Sequence, residues 1–201
     1  MNILAIESSS TVCGVALFLN ENMVQIDEVN IPRIHGEYLP SMIDSILKKN
    51  KIKVSDLDGI AVSEGPGSYT GLRIGISLAK GLSVAYNIPI IPISSLESMN
   101  KGIDKKGIYW VVLYSHKNIV FSQKFKNGIT DSEIRCEEFS LKKYNCIIGF
   151  NLESICDSNK YDNIIPSSKY IGEIAIERFS ELSTNCLERI VPNYVSNFKL
   201  L

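Results

Sequence analysis

A glycine-rich turn and the apolar helical segment after it constrain the fold of this chain more than any other part of its sequence. The turn spans residues 65–71, and residues 70–86 are typical of a helix that is apolar almost all round. Its only polar stripe is narrow and consists of Arg73, Ser77 and Lys80. A helix that lies on one sheet needs a single apolar face. We therefore expect the second apolar face to be covered by another helix of this chain or by another protein.

The first half of the chain alternates strand and helix patterns in an order typical of α/β proteins. Three apolar or alternating runs, residues 3–6, 12–19 and 23–29, predict an antiparallel meander of three strands. Residues 35–49 carry apolar side chains at helical spacing, and a short apolar run at residues 59–63 predicts a fourth strand. The order β-β-β-α-β-α-β requires a mixed sheet with crossover helices packed on it.

The second half repeats this order at lower fidelity, with predicted strands at residues 108–114, 119–125, 134–139 and 146–150. A helix is predicted over residues 168–182. Two halves of similar order predict a pseudo-duplicated protein with two lobes, each with a mixed sheet and helices. We place the lobes at residues 1–100 and 101–201, with the boundary where Lys, Gly, Asp and Asn cluster at residues 100–106. The second lobe is the smaller and divergent one, and the repeat is architectural only because that half has no matching glycine turn.

The composition limits what such a chain binds and where it works. Its 201 residues include 21 Lys plus Arg and 22 Asp plus Glu, so no broad positive field exists to hold a nucleic-acid backbone. We therefore expect RNA to be bound only through a partner. Five cysteines without a C-x-x-C spacing indicate neither a disulfide framework nor a zinc site. The absence of a signal-peptide pattern and of any membrane-spanning apolar stretch favours a cytoplasmic protein without membrane contact.

The segment EGPGSYTGLRIGISLAKGL, residues 64–82, closely resembles the signature of the TsaB family, also called YeaZ. Residues 88–99, IPIIPISSLESM, continue the resemblance in the same register, and residues 35–47 and 1–10 are similar to the family's first helix and first strand. The match covers roughly the first half of the chain. Residues 113–121, LYSHKNIVF, depart from the family's acidic D-A-R-x-G-E-V-Y turn, whereas residues 192–195, PNYV, resemble its usual P-x-Y-L close.

The resemblance implies an actin-like ATPase fold, of the RNase H-like kind, in a protein without chemistry of its own. Such a chain is expected to pair with its catalytic relative TsaD, which transfers threonylcarbamoyl to adenosine 37 of tRNA. The ATPase TsaE is expected on the assembled pair, so ATP and magnesium belong to the partner subunits and tRNA is met only through the complex. The alternatives are a homodimer of the lone chain, an actin-like ATPase or kinase, and a glycoprotease-like peptidase.

The actin-like ATPase alternative rests on two groups of residues that could form a vestigial nucleotide site. Glycines in a turn before a helix, Gly65 and Gly67 with Ser68, allow backbone amides to approach a phosphate. In actin-like kinases an acidic residue at the end of the first strand organises magnesium, and Glu7 holds that position here, with Ser8 and Ser9 in the following turn. The turn has no P-loop lysine, so the same glycines equally fit a tight turn and close packing of helix on sheet, with Ser68 or Thr70 as the N-cap.

The partner interface predicted from the sequence lies on the two helices at residues 35–50 and 70–86. Its apolar members are Leu39, Met42, Ile43, Ile46, Leu72, Gly75, Ile76, Ala79 and Leu82. On this prediction, Ala79→Glu blocks pairing and leaves the lone chain folded. The alternative is that the first helix covers the second within one chain.

The two histidines do not support a metal site or a peptidase. The metal-binding relative has H-x-x-x-H on the matching helix, but here Leu39 follows His35 at that spacing and His116 lies in a predicted turn. The chain contains no H-E-x-x-H, and no serine or cysteine lies in a local signature with a base. We therefore expect no catalytic residue and no metal.

Overall fold

The first half of the chain forms a five-stranded mixed sheet in the computed structural model, which describes residues 1–195. The strands are β1 (Ile3–Glu7), β2 (Val12–Leu19), β3 (Asn22–Asn30), β4 (Gly59–Gly65) and β5 (Ile90–Ser94). They lie in the order β3-β2-β1-β4-β5, with β1 antiparallel to β2 and parallel to β4. The central strand β1 is buried at every residue, as its uninterrupted apolar run predicts.

Two helices, α1 (His35–Lys49) and α2 (Tyr69–Tyr86), cover one face of this sheet. Side chains alternate between the two faces of a strand, so Leu4 and Ile6 of β1 lie in the core beneath these helices. The helices also pack on each other, and both contribute to that core. The first helix therefore covers part of the apolar surface of the second, which is the packing within one chain that the sequence analysis gave as one alternative.

The second half builds another mixed sheet with the same pattern of pairing. Its strands are β6 (Ile108–His116), β7 (Ile119–Lys126), β8 (Ile129–Thr130), β9 (Arg135–Glu138), β10 (Ile147–Phe150) and β11 (Asp162–Asn163). Again the first strand, β6, is antiparallel to the second and parallel to the fourth long strand, β10, while β9 pairs with β7. A short helix, α3 (Ser95–Lys101), packs against β6 and links the two sheets.

The last helices of the described residues return to the first sheet. The helix α4 (Ser168–Glu177) packs on β1 and β2 opposite α1 and α2, against Ile3, Ala5 and Phe18. The short helix α5 (Phe179–Leu182) lies against β5, and beyond it Thr184 forms a β-bridge with Ile90. The predicted single helix over residues 168–182 is therefore interrupted at Arg178. Both α4 and α5 fall in the lobe predicted at residues 101–201, and both pack on the first sheet.

Candidate functional site

Backbone atoms of Ser8 and Ser9 occupy the space directly beside the glycines of the turn. The turn between β1 and β2, residues 8–10, lies against the start of α2, where Ser68 N–H donates to the Ser9 carbonyl over 2.7 Å. A Cβ at Gly67 would overlap the Ser9 carbonyl oxygen, and one at Gly71 would overlap that of Ser8. At Gly75 the obstacle would be the Ser8 hydroxyl. We call Gly67, Gly71 and Gly75 the glycine row; its hydrogen-only side chains let helix and turn come into direct backbone contact.

The N-terminus of α2 is capped from within the same turn. The Ser68 hydroxyl accepts from the Gly71 N–H at 3.2 Å, which makes Ser68 the N-cap rather than Thr70. Asn193 N–H donates to the Glu64 carbonyl at 2.7 Å, and a Cβ at Gly65 would approach the Asn193 carbonyl closely. The end of the described chain is thus fastened to the residues just before the glycine turn.

Glu7 is completely buried, next to the contact between Ser9 and the glycine turn. Its Oε1 accepts from the Ser9 N–H and the Ser9 hydroxyl, both at 2.6 Å. Its Oε2 and the Ser8 hydroxyl are buried without a hydrogen-bond partner among residues 1–195. Burial raises the pKa of Glu7 from 4.5 to about 7; the Ser9 hydrogen bonds oppose that rise, and the nearby charge of Glu28 adds to it. Glu7 is therefore a buried, largely neutral acid at mildly acidic pH.

A cleft of about 1120 Å³ opens between the two sheets beside the glycine turn. Three of the six residues proposed for a nucleotide, Ser9, Gly67 and Ser68, line this cleft, whereas Glu7, Ser8 and Gly65 do not. The second sheet contributes mainly aromatic and hydroxyl groups to the opposite wall, namely Tyr114, Ser115, His116 and Phe121. The divergent turn after β6 therefore faces the glycine turn across the cleft.

Both histidines line this cleft, but each is engaged locally. His35 is buried at the start of α1, and its Nε2 lies 2.9 Å from the carbonyl of Val12. His116 lies at the exposed end of β6 with Nδ1 3.0 Å from the hydroxyl of its neighbour Ser115. Within residues 1–195 neither ring is hydrogen-bonded to a carboxylate, and no group of three or more His, Cys, Asp or Glu side chains could hold a metal ion.

The helix α2 has one buried side, one half-buried side and one exposed side. Its buried residues include Leu72, Ile76 and Ala79, and this side of the helix packs on β4. Ile76 and Ala79 belong to the core shared with α1. Ile74, Leu78 and Leu82 are half-buried at the margin of that core. The remainder points away from the protein, with Val84 70% exposed. We define the outer face of α2 as Ile74, Ser77, Leu78, Gly81, Val84 and Ala85.

Comparison with known proteins shows where a chain with this fold and this turn belongs. A family model described as "TsaD: tRNA N6-adenosine threonylcarbamoyltransferase" matches residues 30–133. A Buchnera aphidicola (subsp. Schizaphis graminum) protein named "tRNA threonylcarbamoyladenosine biosynthesis protein TsaB" is 34% identical, over 80% of this chain and 71% of its own length. The Escherichia coli K12 protein of the same name is 26% identical over 98% of this chain and 95% of its own length.

The chain belongs to the TsaB family.

Solved structures related to this family share its fold. A Pseudomonas aeruginosa protein described as similar to peptidase YEAZ superposes with a TM-score of 0.80, at 18% identity, over 97% of this chain and 99% of that one. YeaZ from the same organism gives a TM-score of 0.76 at 20% identity, over 96% of this chain and 99% of the other. The predicted actin-like α/β fold is confirmed by these likenesses and by two mixed sheets of matching order.

The residues predicted to form the interface of this TsaB-family chain need a correction. Seven of them, Leu39, Ile43, Ile46, Leu72, Gly75, Ile76 and Ala79, are buried inside the chain itself. Met42 and Leu82 are half-buried, and the sulfur of Met42 lies 3.8 Å from that of Cys13 in β2. Because α2 is apolar almost all round, its sequence does not distinguish the side that faces the core from the side that faces outward. On this helix, the outer face is the surface within reach of another protein.

A cluster at the mouth of the cleft was missed by the sequence analysis. The rings of Tyr69 and Tyr194 stack with centroids 4.8 Å apart, and the Arg73 guanidinium lies 3.9 Å from the centre of the Tyr69 ring. Arg73 Nε donates to the Tyr194 hydroxyl at 2.9 Å. The spacing of Tyr69 and Arg73, four residues apart on a helix, signals their contact. Tyr194 is 121 residues from Arg73, and no local pattern could predict that it joins them.

Substitutions in the glycine row test whether backbone contact fixes α2. We expect Gly71→Ala to lower the free energy of unfolding by about 2 kcal/mol or more, because its Cβ meets a carbonyl oxygen that cannot rotate away. Gly81→Ala is the matched control, since nothing lies within 4 Å of a Cβ there. Helix propensity predicts that it stabilises the chain by up to about 1 kcal/mol. Urea unfolding measures both, and equal effects would contradict the packing role.

The buried acid predicts a specific pH dependence of stability. Between pH 4.5 and about 7 the folded chain retains a proton on Glu7 that the unfolded chain has released, so the free energy of unfolding falls as the pH rises. The stability that protonated Glu7 contributes is fully present below pH 4.5 and is lost as the pH rises through about 7. A shift of this size corresponds to roughly 3 kcal/mol. We expect Glu7→Gln, which keeps the acceptor for Ser9, to gain stability relative to wild type over that range. Exposed Glu37→Gln should not, and a pH-independent difference for Glu7→Gln would refute the assignment.

The corrected burial changes the expected outcome for Ala79. Its side chain is fully buried, so Ala79→Glu places an unpaired charge in the core and should cost several kcal/mol, of order 3 to 5. Val84→Glu on the exposed side should change the free energy of unfolding by less than about 0.5 kcal/mol. Chemical denaturation of the two isolated variants distinguishes the faces; a stable Ala79→Glu chain would show that the burial assigned here is wrong.

Proposed function

We propose that this chain is a non-catalytic subunit in the biosynthesis of threonylcarbamoyladenosine in tRNA, where it pairs with TsaD. The observation that carries the proposal is that the TsaD family model spans residues 30–133, which include both α1 and α2. Two proteins that share the same pair of surface helices can pack these helices about a pseudo-two-fold axis. The names of the TsaB relatives supply the pathway.

The outer face of α2 has the chemistry of a helix-docking surface. Gly81, Ser77 and Ala85 are small, so the backbone of a second helix can come close. Ile74 and Leu78 flank these positions and are only half covered by the chain itself. A partner helix here would bury apolar surface that a lone chain leaves in contact with water.

The site geometry favours a supporting role over a catalytic one. The backbone of Ser8 and Ser9 occupies the glycine row that a phosphate would need. We therefore assign ATP and magnesium to partner subunits, with TsaE acting on the assembled pair and tRNA bound through the complex. The proposed location is the cytoplasm; among residues 1–195 no helix is long and apolar enough to cross a bilayer. Without TsaD, the same face would support a homodimer.

Pairing through the outer face is tested by a bulky charge at its centre. We expect Gly81→Arg to fold normally, because nothing surrounds its Cβ, and to lose the complex with TsaD in size-exclusion chromatography with light scattering. Ile129→Arg, at a 72% exposed position on β8 of the second sheet, is the control and should pair like wild type. Reconstituted tRNA modification should fall in parallel. Normal pairing and modification by Gly81→Arg would refute this interface.

A second candidate function is nucleotide binding in the cleft, favoured by its size and by the three predicted residues that line it. Calorimetric titration of the isolated chain with ATP and magnesium distinguishes nucleotide binding in the cleft from the non-catalytic subunit proposed above. The subunit proposal predicts no measurable heat, whereas saturable binding that Ser68→Ala weakens would favour the ATPase alternative.

A further inference from the structure

Arg73 is held in one orientation by two aromatic side chains. Its guanidinium stacks on Tyr69 at 3.9 Å from the ring centre, and its Nε donates to the Tyr194 hydroxyl at 2.9 Å. Tyr194 stacks in turn on Tyr69, and its own backbone position is fixed because Asn193 N–H is bound to the Glu64 carbonyl. An arginine held in this way loses little conformational entropy when it binds a further group.

This positioned cation has no counterion in the part of the chain that the structure describes. Eight ion pairs join described residues, and Arg73 takes part in none of them. Arg73 is exposed to solvent. A guanidinium has five N–H donors in a planar fork, and the Tyr194 hydrogen bond uses only the one on Nε. The two terminal nitrogens retain the geometry that grips an oxyanion through two parallel hydrogen bonds.

The position of Arg73 indicates what kind of partner brings that oxyanion. Arg73 precedes Ile74 and lies one helical turn before Ser77, so it borders the outer face of α2. That face is small and mostly apolar, which suits a protein helix; the narrow polar stripe beside Arg73 offers a phosphate backbone only Ser77 and Lys80. Nucleic-acid binding relies on several cations acting together, but the chain has a net charge of −1. A carboxylate on a docked protein meets both requirements.

We propose that Arg73, fixed by Tyr69 and Tyr194, binds the carboxylate of an acidic side chain on the protein that docks on the outer face of α2. This inference rests on the proposed pairing with TsaD and adds the chemistry of one contact to it. Arginine and tyrosine together are enriched among the residues that dominate the affinity of protein interfaces. The contact also links the interface to the cleft, because Tyr69 and Tyr194 both line the cleft wall.

Calorimetry of the full chain with purified TsaD tests this contact. Arg73→Ala should weaken binding by about 10-fold or more, the usual effect of losing a charged hydrogen-bonded pair. Arg73→Lys should recover only part of the affinity, because an ammonium group cannot form the two parallel bonds. Lys142→Ala removes an equal, exposed charge from the segment between β9 and β10 of the second sheet and should bind within about 2-fold of wild type, because a single exposed charge away from the interface contributes little to affinity. Thermal unfolding of each variant shows whether it is folded.

The Tyr194→Phe variant and salt provide a readout that a purely structural role of Arg73 would not affect. Tyr194→Phe keeps the stacked ring but removes the acceptor for Nε, so affinity should fall while the chain stays folded. The affinity of wild type should decline with added sodium chloride more steeply than that of Arg73→Ala, because salt screens the ion pair of Arg73, which the variant lacks.

The outcomes separate this inference from the proposed function. If wild type does not bind TsaD at all, the pairing proposal itself fails. If wild type binds and Arg73→Ala binds equally well with the same salt dependence, the carboxylate contact is wrong and pairing stands. If Arg73→Ala pairs normally but the assembled complex loses affinity for tRNA, the partner group is a phosphate and the protein carboxylate is excluded.

Discussion

The direct contact between the β1–β2 turn and the glycine row of α2 is the constraint on which the rest of this structure depends. Backbone atoms of Ser8 and Ser9 occupy the space that side chains would take at Gly67 and Gly71. Because backbone carbonyls lie against Gly67 and Gly71, and the short, buried side chain of Ser8 lies against Gly75, this contact fixes both the distance of α2 from the sheet and its rotation about its own axis. That rotation decides which apolar residues enter the core and which form the outer face.

The same contact gives the glycine turn a structural role. The nucleotide-site hypothesis requires the turn after the first strand and the glycine turn to approach a phosphate together. Here they approach each other, and Glu7 is enclosed behind them with its pKa raised to about 7. A carboxyl group whose pKa burial raises to about 7 is fully ionised only above neutral pH, whereas magnesium is held by ionised carboxylates. The cleft is lined by aromatic, hydroxyl and amide groups together with Arg33, Glu153 and the two histidines, and the described residues contain no group of three or more His, Cys, Asp or Glu side chains that could hold a metal ion.

Much of the fold was predictable from sequence because its signals are local. The uninterrupted apolar run of β1, the helical spacing of α1 and the turn before α2 each specify one element, and α1 has the predicted bounds His35–Lys49. The face of α2 was not predictable, since a helix that is apolar almost all round has no periodicity to show its orientation. Nor was the return of α4 to the first sheet, or the contact of Tyr194 with Arg73, because both join residues far apart in the chain.

The central claim is that the outer face of α2, and not its buried apolar side, receives TsaD. Hydroxyl-radical footprinting of the chain, free and mixed with TsaD, measures the solvent access of individual side chains. The account predicts that Ile74, Leu78, Val84 and Tyr69 become protected in the mixture, while Met23 and Val24 on the edge strand β3 keep their reactivity. Unchanged reactivity along α2, with protection at Met23 and Val24 instead, would contradict it.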